Sequence, residues 1–511
     1  MATAAPPAPP AQQSVARKGL KLGAIGLLSS VVIGVASTAP GYSLAATLGG
    51  VASEVGLKSP IIMLLAFVPM LFISYAYKAL NNASPDCGTS FTWVAKAFGP
   101  RAGWITGWVI VAADIIVMAA LAQIAGVYGF LLFGLDDLAA NSTWVTVAGC
   151  AWILLMTLIS WRGIELSART QYFLLGAELL ILATFAVVAL VKVYAGSAGD
   201  LAIKPALDWF VPTGLSFTSL SAGFLLAVFI YWGWDSAVTA NEETTDPTVN
   251  PGRAAVRSTV VLLVTYLLVT VAAQAFAGVG EEGIGLTNPE HSDDVLSSVG
   301  AAVLGGTGVK LLIIAVLTSA AASTQTTILP TARTTLAMAA YRALPRAFGT
   351  VHPRFQTPTV STWAMGLVSI AFYAGLTYFN DAALSDLILS IGLMIAFYYG
   401  LTGFASAWFF RRELFGSATA FFMKGLFPVL GGVILFAAMT RTVIDSYATD
   451  FGDTVLFHTG GVFVLGVGSV AIGVVLMIIW NLVAPAYFRG GTLRADAVVG
   501  ESGRFTPAGS A

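Results

Sequence analysis

Of the 511 residues, 57% are hydrophobic and only 10% are charged, against about 25% charged in an ordinary soluble domain. That composition excludes a water-soluble fold, and a net charge of −1 with an isoelectric point near 6.3 excludes nucleic acid as an electrostatic partner. Cys87 lies in a polar loop and Cys150 in an apolar stretch, so neither a disulfide framework nor a thiolate metal site is expected.

Residues 1–21 read as a disordered cytoplasmic tail. Residues 1–16 are rich in Ala and Pro without a charged side chain, and Arg17, Lys18 and Lys21 then precede the first apolar segment. That segment, about 27 residues long, exceeds the core of a cleavable signal. From there, apolar stretches of membrane-spanning length recur at 23–49, 60–80, 103–133, 144–160, 171–194, 215–239, 258–280, 309–337, 358–379, 383–409, 419–442 and 460–484. Lipid cannot satisfy bare backbone groups, so spans of roughly 20 apolar residues must be helical or form closed barrels, and runs of this length suit helices. The expectation is one all-α transmembrane domain, 22–485, of about twelve helices, with 486–511 as a second cytoplasmic tail.

Charge distribution supports this order. With the N-terminus inside, only Lys58, Lys192, Lys204, Lys310 and Arg441 of the 25 basic residues fall outside, as expected where cytoplasmic loops collect Lys and Arg. The long outer loop from Glu281 to Asp294 carries acids and no Lys or Arg. Both termini are therefore expected in the cytoplasm, with the chain in the cytoplasmic membrane and the bilayer as its surroundings.

Two spans carry signs of interruption. In the first, Pro40 lacks a backbone donor and Gly34 and Gly41 permit unusual dihedrals, which makes Ser37 to Tyr42 a candidate unwound stretch. In the sixth, Gly233 lies between Trp232 and Trp234, with Asp235 next at a depth where charge is costly. Helices one and six each open a set of five, so the order fits a five-plus-five arrangement of inverted topology. Freed N–H groups suit a carboxylate and freed carbonyls suit an ammonium or a metal cation, a combination that describes an amino acid. Kinked but continuous helices are the competing reading for either segment alone.

Asp114, Glu178 and Asp235 are the acids well inside spans, and each is a functional candidate because charge there is expensive. Asp235 reads as a gate or proton-linked acid, or as a cap on freed backbone. Glu178 reads as a proton carrier, or as a neutral hydrogen-bonded acid. Asp114 in the third helix would favour a positive charge on a solute, or is paired with a hydroxyl. Tyr231, Trp232 and Trp234 either line a cavity or pack and anchor the helix. Gly278 to Gly283 matches a dinucleotide fingerprint only formally, because no strand precedes it and an acidic loop follows. His291, His352 and His458 lie in separate loops, and no hydrolase or zinc-protease motif occurs, so an enzyme is not expected.

Several segments together resemble the amino acid, polyamine and organocation superfamily of permeases, in its bacterial amino acid permease type. Gly233-Trp-Asp-Ser-Ala leading to Glu242-Glu243 and Asp246-Pro247 is similar to the family signature. Pro85 to Phe91 with Ala97 to Pro100, Gly163 to Arg169, Ala321 to Thr327 with Ala332-Arg333, and Val351 to Pro358 resemble further family segments in order and spacing. The resemblance implies two five-helix repeats, about 23–194 and 215–409, with helices eleven and twelve outside them, and a midplane site between the breaks. It implies solute contacts at Ser37, Thr38, Ala39, Gly41, Tyr42, Asp114, Phe229, Tyr231, Trp232 and Gly233, with Phe229 as an aromatic gate. Glu178 occupies a place where some proton-coupled relatives carry lysine. Ala320, Ser323 and Thr324 resemble a sodium site, or serve helix packing. Pro40 departs from the family's glycine-rich triplet and removes a backbone donor. The implied function is secondary active transport of an amino acid by alternating access, coupled to protons, with a polyamine or other amine, or sodium coupling, as the alternative. No cofactor or bound metal is expected, and the energy source is an ion gradient.

Overall fold

A computed structural model describes residues 18–492, apart from 291, 380–382 and 453, together with 498–499 and 505–506. Residues 1–17 of the expected N-terminal tail, and most of 493–511, lie outside the described residues.

Each of the expected spans is helical. Helix one is split into Leu27–Ser37 and Pro40–Val55, and helix two follows as Ser59–Ala83. A short helix, Ser90–Phe98, leads into helix three, Pro100–Leu132, then helix four, Ser142–Arg162, and helix five, Ile164–Ala195. Helix six is split into Phe217–Ile230 and Ser236–Thr239, and helix seven is Asn250–Ala277. The next run, Val295–Ala340, turns sharply at Gly305 (φ 75°), which separates a short helix from helix eight, Gly308–Ala340. Helices nine to twelve are Thr359–Phe379, Ala383–Phe409, Ala418–Asp445 and Gly461–Val483. Among the described residues, ten helical stretches are long and apolar enough to cross a bilayer, one of them running through helices one and two. Helix six falls below that length because it is broken.

The order of elements repeats. A split helix, a long helix, a short helix and three long helices occur first as helices one to five and again as six to ten. Five crossings in the first set would start the second set on the opposite face of a bilayer. Burial follows the same division. Helices three and eight are mostly buried, whereas helix twelve exposes Ile472, Val475, Ile478, Ile479 and Leu482, a surface that suits lipid rather than water.

Two boundaries differ from the sequence expectation. Lys18–Lys21 do not belong to a free tail: Leu20 is buried with Cys87, Phe91 and Leu336, and Lys18 is half of a buried ion pair. At the other end Pro485–Phe488 is a helical turn, with Tyr487 stacked on Phe91 and its hydroxyl donating to the Pro100 carbonyl at 2.9 Å. A polar or short segment next to a membrane span has no periodicity that reports such docking, so only the tertiary structure reveals it.

Candidate solute-binding site

The break in helix one is two residues long. Thr38 ends the first half, and Ala39 takes a left-handed backbone (φ 46°), so that Pro40 begins the second half at the position where its missing N–H costs nothing. Gly41 and Tyr42, expected in the unwound stretch, are helical instead. A proline that fits the first turn shortens the break rather than widening it.

The break in helix six runs from Tyr231 to Asp235. Gly233 has φ 117°, and a Cβ there would lie 2.7 Å from the Ser37 carbonyl oxygen. A glycine is thus required both by the dihedral and by the contact between the two breaks. Ser37 Oγ and Ser236 Oγ lie 2.8 Å apart and join the breaks again. The end of the first half of helix six is capped from helix seven, where the Tyr266 hydroxyl donates to the Ile230 carbonyl at 2.5 Å.

Between the breaks lies a small cavity of about 20 Å³, enough for a water-sized group. Of the residues expected to contact solute, Ser37, Thr38, Ala39, Tyr42, Asp114, Phe229, Trp232 and Gly233 line it, as do Asp235 and Ser323. Gly41 and Tyr231 do not. Gly41 faces helix five, where its N–H donates to Glu178 Oε1 at 2.7 Å. Tyr231 points into the bundle, its hydroxyl donating to the Met63 carbonyl at 3.1 Å and its ring meeting Tyr266 edge-on. Both sit on the outer side of their turns, a facing that linear order leaves open.

Asp235 is held by three tyrosines. Tyr399 donates to Oδ1 at 2.8 Å, and Tyr398 and Tyr77 donate to Oδ2 at 3.3 and 3.4 Å. Trp232 Nε1 in turn donates to the Tyr398 hydroxyl at 2.5 Å. Asp114 accepts from Thr331 at 2.5 Å, the hydroxyl-paired reading, while also facing the cavity. Trp234 packs against Tyr77 and Tyr399 and does not line the cavity. The tyrosine partners come from helices two and ten, far away in sequence. Sequence reasoning missed them because tyrosine within an apolar span carries no signal of its own.

Glu178 stands on the far side of helix one from the cavity. Its Oε2 is buried without a hydrogen-bond partner among the described residues. Ser319 Oγ accepts from the Tyr42 N–H at 3.2 Å beside it. On helix eight, Ser323 Oγ donates to the Ser37 carbonyl at 2.9 Å and Thr324 Oγ1 to the Ala320 carbonyl at 2.7 Å.

The end of the bundle that holds Lys18 carries a second polar network. Lys18 Nζ lies 3.0 Å from Asp86 Oδ2 and 2.6 Å from Glu242 Oε1, and Tyr341 donates to Asp86 at 2.6 Å. Burial works against ionisation of Asp86, but the Lys18 ammonium, with Lys96 and the Tyr341 hydrogen bond, outweighs it and holds the carboxyl at about 2. Glu242 is pushed up, chiefly by burial and also by the Asp86 carboxylate, despite Lys18. Next to it Arg333 of helix eight makes a bidentate pair with Glu243 at 2.7 and 3.0 Å, both side chains buried. Glu242-Glu243 and Arg333 were legible as family-like residues, but their pairing was not.

A membrane bundle whose two broken helices meet around a small cavity that holds two acids has the architecture of a broken-helix carrier. The chain belongs to the amino acid permease family, whose model matches residues 22–444. It is 27% identical to a branched-chain amino acid permease of Lactococcus lactis subsp. cremoris, over 72% of this chain and 77% of that protein. It is 26% identical to a vacuolar cationic amino acid transporter of Arabidopsis thaliana, over 74% of this chain and 61% of that protein. A methylthioribose transporter of Bacillus subtilis is 24% identical, over 65% of this chain and 70% of that protein. The relatives are transporters, not enzymes.

Proposed function

We propose that the chain is a secondary active transporter that moves a small amine-bearing solute, of the amino acid and amine class, across the cytoplasmic membrane by alternating access, with both termini inside. The observation that carries this reading is the cavity enclosed by both helix breaks and faced by Asp114 and Asp235. A solute seated there bridges the two repeats, so closing one side and opening the other are both felt at the same place. The branched-chain and cationic amino acid transporters among the relatives support the solute class.

Proton coupling through Glu178 is the favoured energy source. Its Oε2 has no partner among the described residues, so a proton can be added there without breaking the bond from Gly41 to Oε1. Protonation alters the charge at the start of the second half of helix one, where a negative group is stabilised by the helix dipole. The hydroxyls of Ser323 and Thr324 donate to the Ser37 and Ala320 carbonyls, as in helix packing, and sodium coupling at that place is the alternative reading.

Uptake of a labelled panel of amino acids and amines into proteoliposomes, with imposed proton or sodium gradients, tests the proposal. Glu178→Gln is expected to slow proton-driven uptake while sparing exchange. If no amine-bearing solute moves under either gradient, transport of this class is wrong; equal losses of uptake and exchange would remove Glu178 as proton carrier.

A further inference from the structure

The donors of the helix-one break are all engaged inside the protein. Thr38 N–H donates to Val35 at 3.1 Å and Ala39 N–H to Ala36 at 3.2 Å. Pro40 has none, Gly41 N–H donates to Glu178, and Tyr42 N–H to Ser319. Ser43 N–H closes the first turn onto Ala39 at 2.8 Å. The dipole at the start of this half-helix, the usual seat for an anion, already faces a carboxylate belonging to the protein.

Three hydroxyls around the break are engaged as well. Thr38 Oγ1 donates to Val35, Ser43 Oγ to Thr38 and Ser323 Oγ to Ser37, each to a backbone carbonyl. Among the described residues, the cavity wall contains no Lys, Arg or His, while it contains Asp114 and Asp235. A carboxylate placed there meets two acids and no free cation, an arrangement that rejects like charge strongly. An ammonium meets the same two acids together with the rings of Phe229 and Trp232, which attract cations.

We propose that the cavity selects a protonated primary amine bearing no carboxylate on its α-carbon, the nearest helix N-terminus being turned to Glu178 on the other side of helix one. This rests on the carrier reading above and narrows its solute. It makes Asp114 a specificity-determining residue, because Asp235 is already held by three tyrosine hydroxyls and Asp114 is the acid with more freedom to answer a charge.

The test uses matched pairs that differ only by the carboxylate: isoamylamine with leucine, cadaverine with lysine, phenethylamine with phenylalanine. Each is measured as a competitor and as a counterflow substrate of the full-length protein in proteoliposomes. The decarboxylated member is expected to act at concentrations lower by about a hundredfold or more. Asp114→Asn is expected to shrink that ratio toward one, a readout that a mere loss of folded protein leaves unchanged. Amino acids that compete as well as or better than their amines overturn the inference and leave the carrier reading intact. An unchanged ratio in Asp114→Asn overturns the role of Asp114. Failure of both members of every pair overturns the inference together with the carrier reading.

Discussion

Gly233→Ala puts a methyl group where the two helix breaks touch. The dihedral is the first cost, since φ of 117° is a region that residues with a Cβ rarely adopt, at about 1–3 kcal/mol. Overlap is the second: the new Cβ lies 2.7 Å from the Ser37 oxygen and 2.8 Å from its carbon, and backbone cannot yield as a flexible side chain does, so overpacking adds about 1–3 kcal/mol. Taking the two together at about 3 kcal/mol, the arrangement with both breaks in contact loses roughly a hundredfold in population, at about 1.4 kcal/mol per tenfold. The assay is the thermal midpoint of the purified protein beside initial counterflow rate per folded molecule. Gly375→Ala serves as control, because a Cβ there meets nothing within 4 Å inside helix nine. A lowered midpoint, or an unchanged one with counterflow down by about a hundredfold, is expected for Gly233→Ala alone. A variant with both quantities at the parent value would refute the claim that the breaks must touch.

Further outcomes follow from the polar networks. Glu243→Gln leaves Arg333 buried without its carboxylate and is expected to destabilise the protein by about 3–5 kcal/mol, measured by denaturation; Glu243→Leu combined with Arg333→Met is expected to cost less than either single change. Asp86 is held at about 2, below its ordinary 3.8, so its contribution to stability is present above about pH 4 and is lost as the pH falls toward 2. Thermal midpoints taken between pH 3 and 7 should therefore decline at the acid end in the parent, and Lys18→Met should flatten that decline while lowering the neutral-pH midpoint. Tyr399→Phe removes the shortest bond to Asp235 and is expected to reduce counterflow about tenfold with the protein still folded, since one hydrogen bond to a charged group contributes about 1.5–3 kcal/mol; full counterflow would show that Asp235 does not depend on this hydroxyl.

How much of the site could be read in advance differs residue by residue. Thr38, Ala39 and Gly233 were legible because proline and glycine change backbone options locally, whatever surrounds them. Asp114 and Asp235 stood out because a charge within an apolar run is expensive anywhere in a bilayer. Gly41 and Tyr231 were expected at the cavity with their neighbours in the two breaks, yet a half-turn of helix directs them elsewhere. Tyr77, Tyr398 and Tyr399 carried no such local mark.

The sequence by itself therefore determined the membrane class, the helix order and the two interruptions, since each depends on hydrophobic length, backbone dihedrals or charge cost within one short segment. Only the tertiary structure decided which partners those segments meet: Glu178 with Gly41, Arg333 with Glu243, Lys18 with Asp86, and three tyrosines with Asp235. Such pairings depend on the rotation of each helix about its axis, and that angle is set by packing against neighbours far along the chain.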